Sequence, residues 1–139
     1  MIKALVNNSW KLFDINELQP GTSVFNFETG LYETIRTRDH RPILLTPHLD
    51  RLFNSAKSTD LKSPFHRKKV ESMIMKVIES SPEPDQRVRV LLVPDKVIIY
   101  TMPLDIDYDI YNGVSVITVL AKRDTPEIKT TNYHSCLNA

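Results

Sequence analysis

Glycine is scarce in this chain, with three in 139 residues. A glycine-rich loop that cradles phosphate, or a nucleophile elbow that sets a serine between glycines, needs more of them at closer spacing, and neither pattern occurs. Cysteine is scarcer still. Cys136 stands alone, which excludes an internal disulfide, and no Cys/His pair has zinc-site spacing, so no metal is expected and the chain suits a reducing, cytoplasmic compartment. Charge of one sign is also missing: 18 basic residues against 17 acidic ones leave a net charge of +1, too little to draw the chain to nucleic acid or to an acidic membrane. No apolar run is long enough to span a bilayer, and "MIKALVNNSWKLFD" turns polar too early for a signal-peptide core. What is present, 41% hydrophobic and 25% charged residues, is the composition of one soluble globular domain.

The patterning predicts α+β. "ALVNNSWKLF" reads as two short strands around an Asn-Asn-Ser turn, and "GLYETIRTRDHRPILLT" repeats that arrangement around "RDHRP". The period then lengthens. Thr46 as N-cap and Pro47 at the first helical position open a helix with Leu49, Leu52, Phe53 and Ala56 on one face. A second helix is expected from Ser63 and Pro64, burying Val70, Met73, Ile74, Val77 and Ile78 before "SSPEPD" stops it. Three β-branched runs follow, "RVRVLLV", "KVIIYTMP" and "VSVITVLA". Runs of one element type rather than strict alternation point to an antiparallel sheet with two helices packed on it. The domain is expected over residues 1–120, with residues 121–139 as a linker and the helical-looking start of a further, truncated domain.

Candidate chemistry falls at few places. Lys129 in "EIKTTNY" is, taken by itself, one surface lysine among many. Arg51 in "PHLDRLFNSAK" lies nearly opposite the apolar stripe of its helix and so faces water or another domain, where a guanidinium can grip a phosphate. Tyr32 and Glu33 project to opposite faces of their strand. His40, His48, His66 and His134 lack ligand spacing and read as capping or surface residues, and "FHRKK" reads as a solvated face.

Taken in order, "GLYETIRTRDHRPILLTPHLDRLFNSAK" and "EIKTTNY" resemble the fold-type IV pyridoxal-phosphate enzymes, the group of branched-chain and D-amino acid aminotransferases and aminodeoxychorismate lyase. The resemblance covers the first half of a typical member. It implies that Lys129 forms the Schiff base with pyridoxal 5'-phosphate and shuttles the substrate proton, and that Arg51 binds the cofactor phosphate. It further implies Tyr32 in the substrate pocket, Arg36 on the side of the substrate carboxylate and Glu33 in a supporting polar role. "FETGLYE" departs from the family in lacking the glycine and aspartate that often precede this strand. The family's larger C-terminal domain supplies the carboxylate for the pyridine nitrogen and much of the phosphate cup.

The function expected on this resemblance is amino-group transfer between amino acids and 2-oxo acids by a homodimer, with the 139-residue piece inactive by itself. The alternatives are the aminodeoxychorismate lyase, which shares lysine and cofactor, and a non-catalytic remnant of the fold.

Overall fold

Two pairs of residues in left-handed backbone make the hairpins. In the computed structural model, which describes residues 1–18, 30–118, 120 and 125–131, Asn7 and Asn8 adopt φ of 47° and 68° between β1 (Ile2–Val6) and β2 (Ser9–Phe13). Asp39 and His40 do the same, at 49° and 58°, between β3 (Leu31–Arg38) and the two-residue β4 (Arg41–Pro42). Left-handed residues at both central positions match the right-handed twist of the strands, and Asn and Asp tolerate them. The helices α1 (Leu45–Ser58) and α2 (Arg67–Glu79) follow, then β5 (Gln86–Val93) and β6 (Lys96–Pro103). The six strands form one sheet in the order β2-β1-β6-β5-β3-β4, with every pairing antiparallel. The α+β expectation holds.

Both helices cover the same face of the sheet. Leu49, Leu52 and Ala56 of α1 and Val70, Met73, Ile74, Val77 and Ile78 of α2 meet Leu5, Leu31, Ile35, Val88, Val90, Leu92, Val97 and Ile99, with Phe53 partly buried against them. On the face away from α1 and α2, Ala4, Val6, Leu91, Val93, Ile98 and Tyr100 form a smaller cluster, with Leu18 against it.

Three local expectations are corrected. The first helix starts at Leu45, so Thr46 does not cap it and Pro47 takes the third helical position. The chain leaves β4 through Leu44 in left-handed backbone (φ 54°), and the Leu44 carbonyl itself opens the helical ladder by accepting from His48 N at 3.2 Å. The second helix starts at Arg67, not near Ser63. The Ser63 hydroxyl is used locally, donating to Phe65 O at 2.7 Å, and His66 caps the helix by accepting from Lys69 N at 3.3 Å. The first turn of α2 therefore opens with the basic run, whose Arg67 pairs with Asp50 of α1.

The third correction is larger. "VSVITVLA" is expected as a strand, but its described residues, 114–118 and 120, belong to no strand, and Val114, Val116 and Ile117 are 66%, 79% and 88% exposed. A β-branched sequence becomes a strand only when an edge is there to receive it, and here the chain leaves β6 through a 3-10 turn at Tyr108–Asn112.

Candidate active site

β3 lies next to the edge of the sheet, and β4 covers only its Thr37–Arg38 end. At the other end of that edge sits the lysine segment. Tyr32 N donates to Lys129 O at 2.9 Å, Thr131 N donates to Gly30 O at 2.7 Å, and Leu31 and Thr130 form an antiparallel bridge between them. Gly30 is needed for this approach, because a Cβ at that position would fall within 2.9 Å of Thr131 Cγ2. Ile128 is buried in the helix-side core and Thr131 is 2% exposed, so the lysine is held from both sides. The expectation that a helix begins at this lysine is corrected for residues 128–131. His134 and Cys136 fall outside the described residues.

Lys129 Nζ stands 4.7 Å from the centroid of the Tyr32 ring, and the Arg89 guanidinium carbon stands 5.1 Å from the same centroid. A ring quadrupole attracts both cations. Arg89 also donates through Nη1 to Thr34 Oγ1 at 2.8 Å, while its buried Nε meets no acceptor among the described residues. Arg87, Arg89, Tyr100 and Met102 line a cleft of about 350 Å³ on this face, together with Ile2, Ile15 and Leu18. Burial raises the Tyr100 phenol above its ordinary pKa, with Arg89 and Arg87 pulling it down less strongly.

Glu33, one residue along β3, points to the helix side and is 1% exposed. His48 and Arg51 are three residues apart on α1 and reach it from one face of the helix. Arg51 donates from Nε to Oε1 and from Nη2 to Oε2, both at 2.6 Å, and His48 Nδ1 lies 2.8 Å from Oε2. The carboxylate hydrogen bond is also the main reason that the Arg51 pKa rises above its already high value. Arg51 is thus half-exposed, as its helical angle predicts, yet it leans on β3 rather than standing clear, and His48 is a carboxylate partner rather than a cap.

The structure therefore brings Lys129 to Tyr32 and Arg51 to Glu33, on consecutive residues of one strand. Arg36 is not gathered with them: it is exposed four residues along β3, about 13 Å from Tyr32 by strand rise, and it pairs across the sheet with Arg87. Sequence reasoning missed Arg87, Arg89 and Tyr100. The alternation in "QRVRVLLV" could have shown that two arginines share a face with the other residues of that parity.

A sheet of this order with two helices on one face is the N-terminal domain of the fold-type IV aminotransferases. It is similar to a putative branched-chain amino acid aminotransferase of Thermotoga maritima, with TM-score 0.78 and 22% identity over 99% of this chain and 52% of that one. The Escherichia coli branched-chain amino acid aminotransferase gives 0.70 and 20%, over 98% of this chain and 54% of that one. The T.th. branched-chain amino acid aminotransferase with pyridoxamine 5'-phosphate gives 0.60 and 20%, over 76% and 41%. The chain thus spans about half or less of the length of these structures. No curated protein matches it. Residues 30–139 match the amino-transferase class IV family, and the chain belongs to that family.

The side chains fit a pyridoxal phosphate. Among the described residues the half-exposed guanidinium has N–H groups beyond its two bonds to Glu33, which suits a phosphate, and a primary amine lies over Tyr32, the adjacent residue of β3, which suits an aldehyde.

Proposed function

We propose that this chain carries the lysine-bearing half of the active site of a pyridoxal-phosphate-dependent aminotransferase acting on amino acids and 2-oxo acids. The observation that supports it best is Lys129, fixed by Ile128 and by the Gly30–Tyr32 edge with its amine over the Tyr32 ring. Pyridoxal 5'-phosphate, when bound, supplies the electron sink for the pair released at the substrate α-carbon. Lys129 Nζ is the anchoring amine and the base that holds the α-proton. Arg51 binds the phosphate with the N–H groups that Glu33 leaves unused. Tyr32 forms a wall of the substrate pocket, and Arg89 beyond it receives a substrate carboxylate on the face that also bears Arg36 and Arg87. A second copy of the chain is the proposed partner, supported by the exposed Tyr108, Tyr111, Val116 and Ile117.

The test is borohydride reduction in the presence of pyridoxal 5'-phosphate, followed by peptide mapping of the chain and of Lys129→Ala. Labelling concentrated on Lys129 and lost in the variant is expected. Labelling spread evenly over the surface lysines, or unchanged in Lys129→Ala, would refute the reading.

A further inference from the structure

Glu33 is the one carboxylate on the six strands among the described residues, and it is almost wholly buried. Desolvating a carboxylate is costly unless charged donors meet it, and here both oxygens are met: Oε1 by Arg51 Nε, Oε2 by Arg51 Nη2 and by His48 Nδ1. Nδ1 of His48 must carry its proton, because an ionised carboxylate only accepts. The 3.4 Å separation between that nitrogen and Arg51 Nη2 is then two donors converging on one oxygen, not a bond between them.

This arrangement fixes a flexible side chain. An arginine at 44% exposure ordinarily samples many rotamers, whereas two hydrogen bonds in the plane of the guanidinium hold both its position and its tilt. The edge engaged is the Nε–Nη2 edge. Nη1 and the outer hydrogen of Nη2 face the other way, and these two donors have the spacing of two oxygens of one phosphate. His48 braces Glu33 from the preceding turn of α1 and keeps the carboxylate from following Arg51 outward.

We infer that Glu33 is a positioning residue for phosphate binding: it grips Arg51 by Nε and Nη2 so that the Nη1 edge is presented, already oriented, to the phosphate of pyridoxal 5'-phosphate. The inference rests on the reading of Arg51 as the phosphate ligand given above. It goes beyond that reading by assigning the binding increment to a pair. Charge alone does not supply it, since an unheld guanidinium loses part of each contact to the entropy of being ordered.

Two measurements on the 139-residue chain test it. The first needs no ligand: the Nε–H of Arg51 in an arginine-selective 15N spectrum, expected as a slowly exchanging signal that becomes fast-exchanging in Glu33→Gln. The second is the ratio of affinities for pyridoxal 5'-phosphate and for pyridoxal, which isolates the phosphate. Arg51→Ala is expected to remove the preference for the phosphorylated form, and Glu33→Gln to lower it about tenfold, the worth of one charge-assisted contact. Glu33→Asp keeps the charge on an arm too short for both bonds; it is expected to lose part of the preference and serves where Glu33→Gln does not fold. A full preference in a folded Glu33→Gln or Glu33→Asp protein, with Arg51→Ala showing none, overturns the positioning role and leaves Arg51 as the phosphate ligand. A slow Nε–H signal surviving in Glu33→Gln overturns it equally. An unchanged preference in Arg51→Ala, or none in the parent chain, overturns the assignment of Arg51 and the inference with it.

Discussion

The two faces of the sheet are built from the same strands and carry opposite chemistry. Toward the helices, the inward positions of β3, β5 and β6 hold Leu31, Ile35, Val88, Val90, Leu92, Val97 and Ile99, and the carboxylate among them, Glu33, is matched by Arg51 and His48. The face away from α1 and α2 has apolar residues at its centre but carries Lys11, Arg36, Arg38, Arg41, Arg87, Arg89 and Lys96 on its strands, and no strand carboxylate faces them among the described residues. Arg36 stands opposite Arg87, and Arg38 opposite Arg41. Like charges placed directly across a ladder weaken it. Cross-strand pairing therefore gains nothing from this pattern: one face holds the fold together and the other gathers positive charge. A net charge of +1 hides this, because every acidic residue but Glu33 among the described residues lies off the strands.

Substitutions on the two faces should separate in size. Ile99→Ala, at 0% exposure on the helix side, should cost about 2–5 kcal/mol in urea unfolding; a cost below about 1 kcal/mol would mean that the helices pack more loosely than they look. At the β3 edge, Gly30→Ala forces a Cβ into Thr131 and should cost about 1–3 kcal/mol. Thr131→Ala in the same chain should recover much of that loss, since the two residues are in contact. Full additivity of the two changes would show that Gly30 matters for another reason.

Tyr100 sharpens the contrast, because it sits on the basic face yet is 1% exposed. Its pKa is raised, so the unfolded chain releases the phenolic proton first; the contribution is complete below about pH 10, the ordinary tyrosine value, and is lost as pH rises through the folded pKa. Stability measured along an alkaline pH series should fall, and Tyr100→Phe should flatten that fall. An equally steep slope in the variant would assign it to other groups. The smallest effect is expected at Arg36→Gln, which relieves the repulsion with Arg87 and should leave stability unchanged or raise it by about 0.2–1 kcal/mol. A clear loss would show that the arginine stabilises the sheet after all.

The helix-covered face is legible from the sequence because it is written in local periods: the α1 stripe, the α2 stripe and the two hairpin turns fall where spacing places them. Helix starts are less legible. Thr46 and Ser63 are good caps in isolation, but the exit from β4 and the local turn at Ser63 decide where each helix begins. "VSVITVLA" fails for the complementary reason, since β-propensity in a sequence says nothing about whether an edge is available. At the site, Lys129, Arg51, Tyr32 and Glu33 are found through the family resemblance, but no local signal shows that Glu33 turns inward to Arg51 and His48, or that Arg89 shares the Tyr32 ring with Lys129. Those are contacts between distant segments.

The bridge between Leu31 and Thr130 bears on how this molecule is assembled. It ties together positions about one hundred residues apart, and closing a span of that length is slow compared with forming the hairpins and helices inside it. The docking surface for Thr130 and Thr131 is the far edge of β3, which is itself fixed only after β5, made later in the chain, has paired with it. During synthesis, then, the amine reaches its place only after β3 and β5 have paired. A newly made chain would hold an ordered sheet before it holds an ordered lysine, and a reactive aldehyde arriving early would meet Lys129 as one unplaced amine among many.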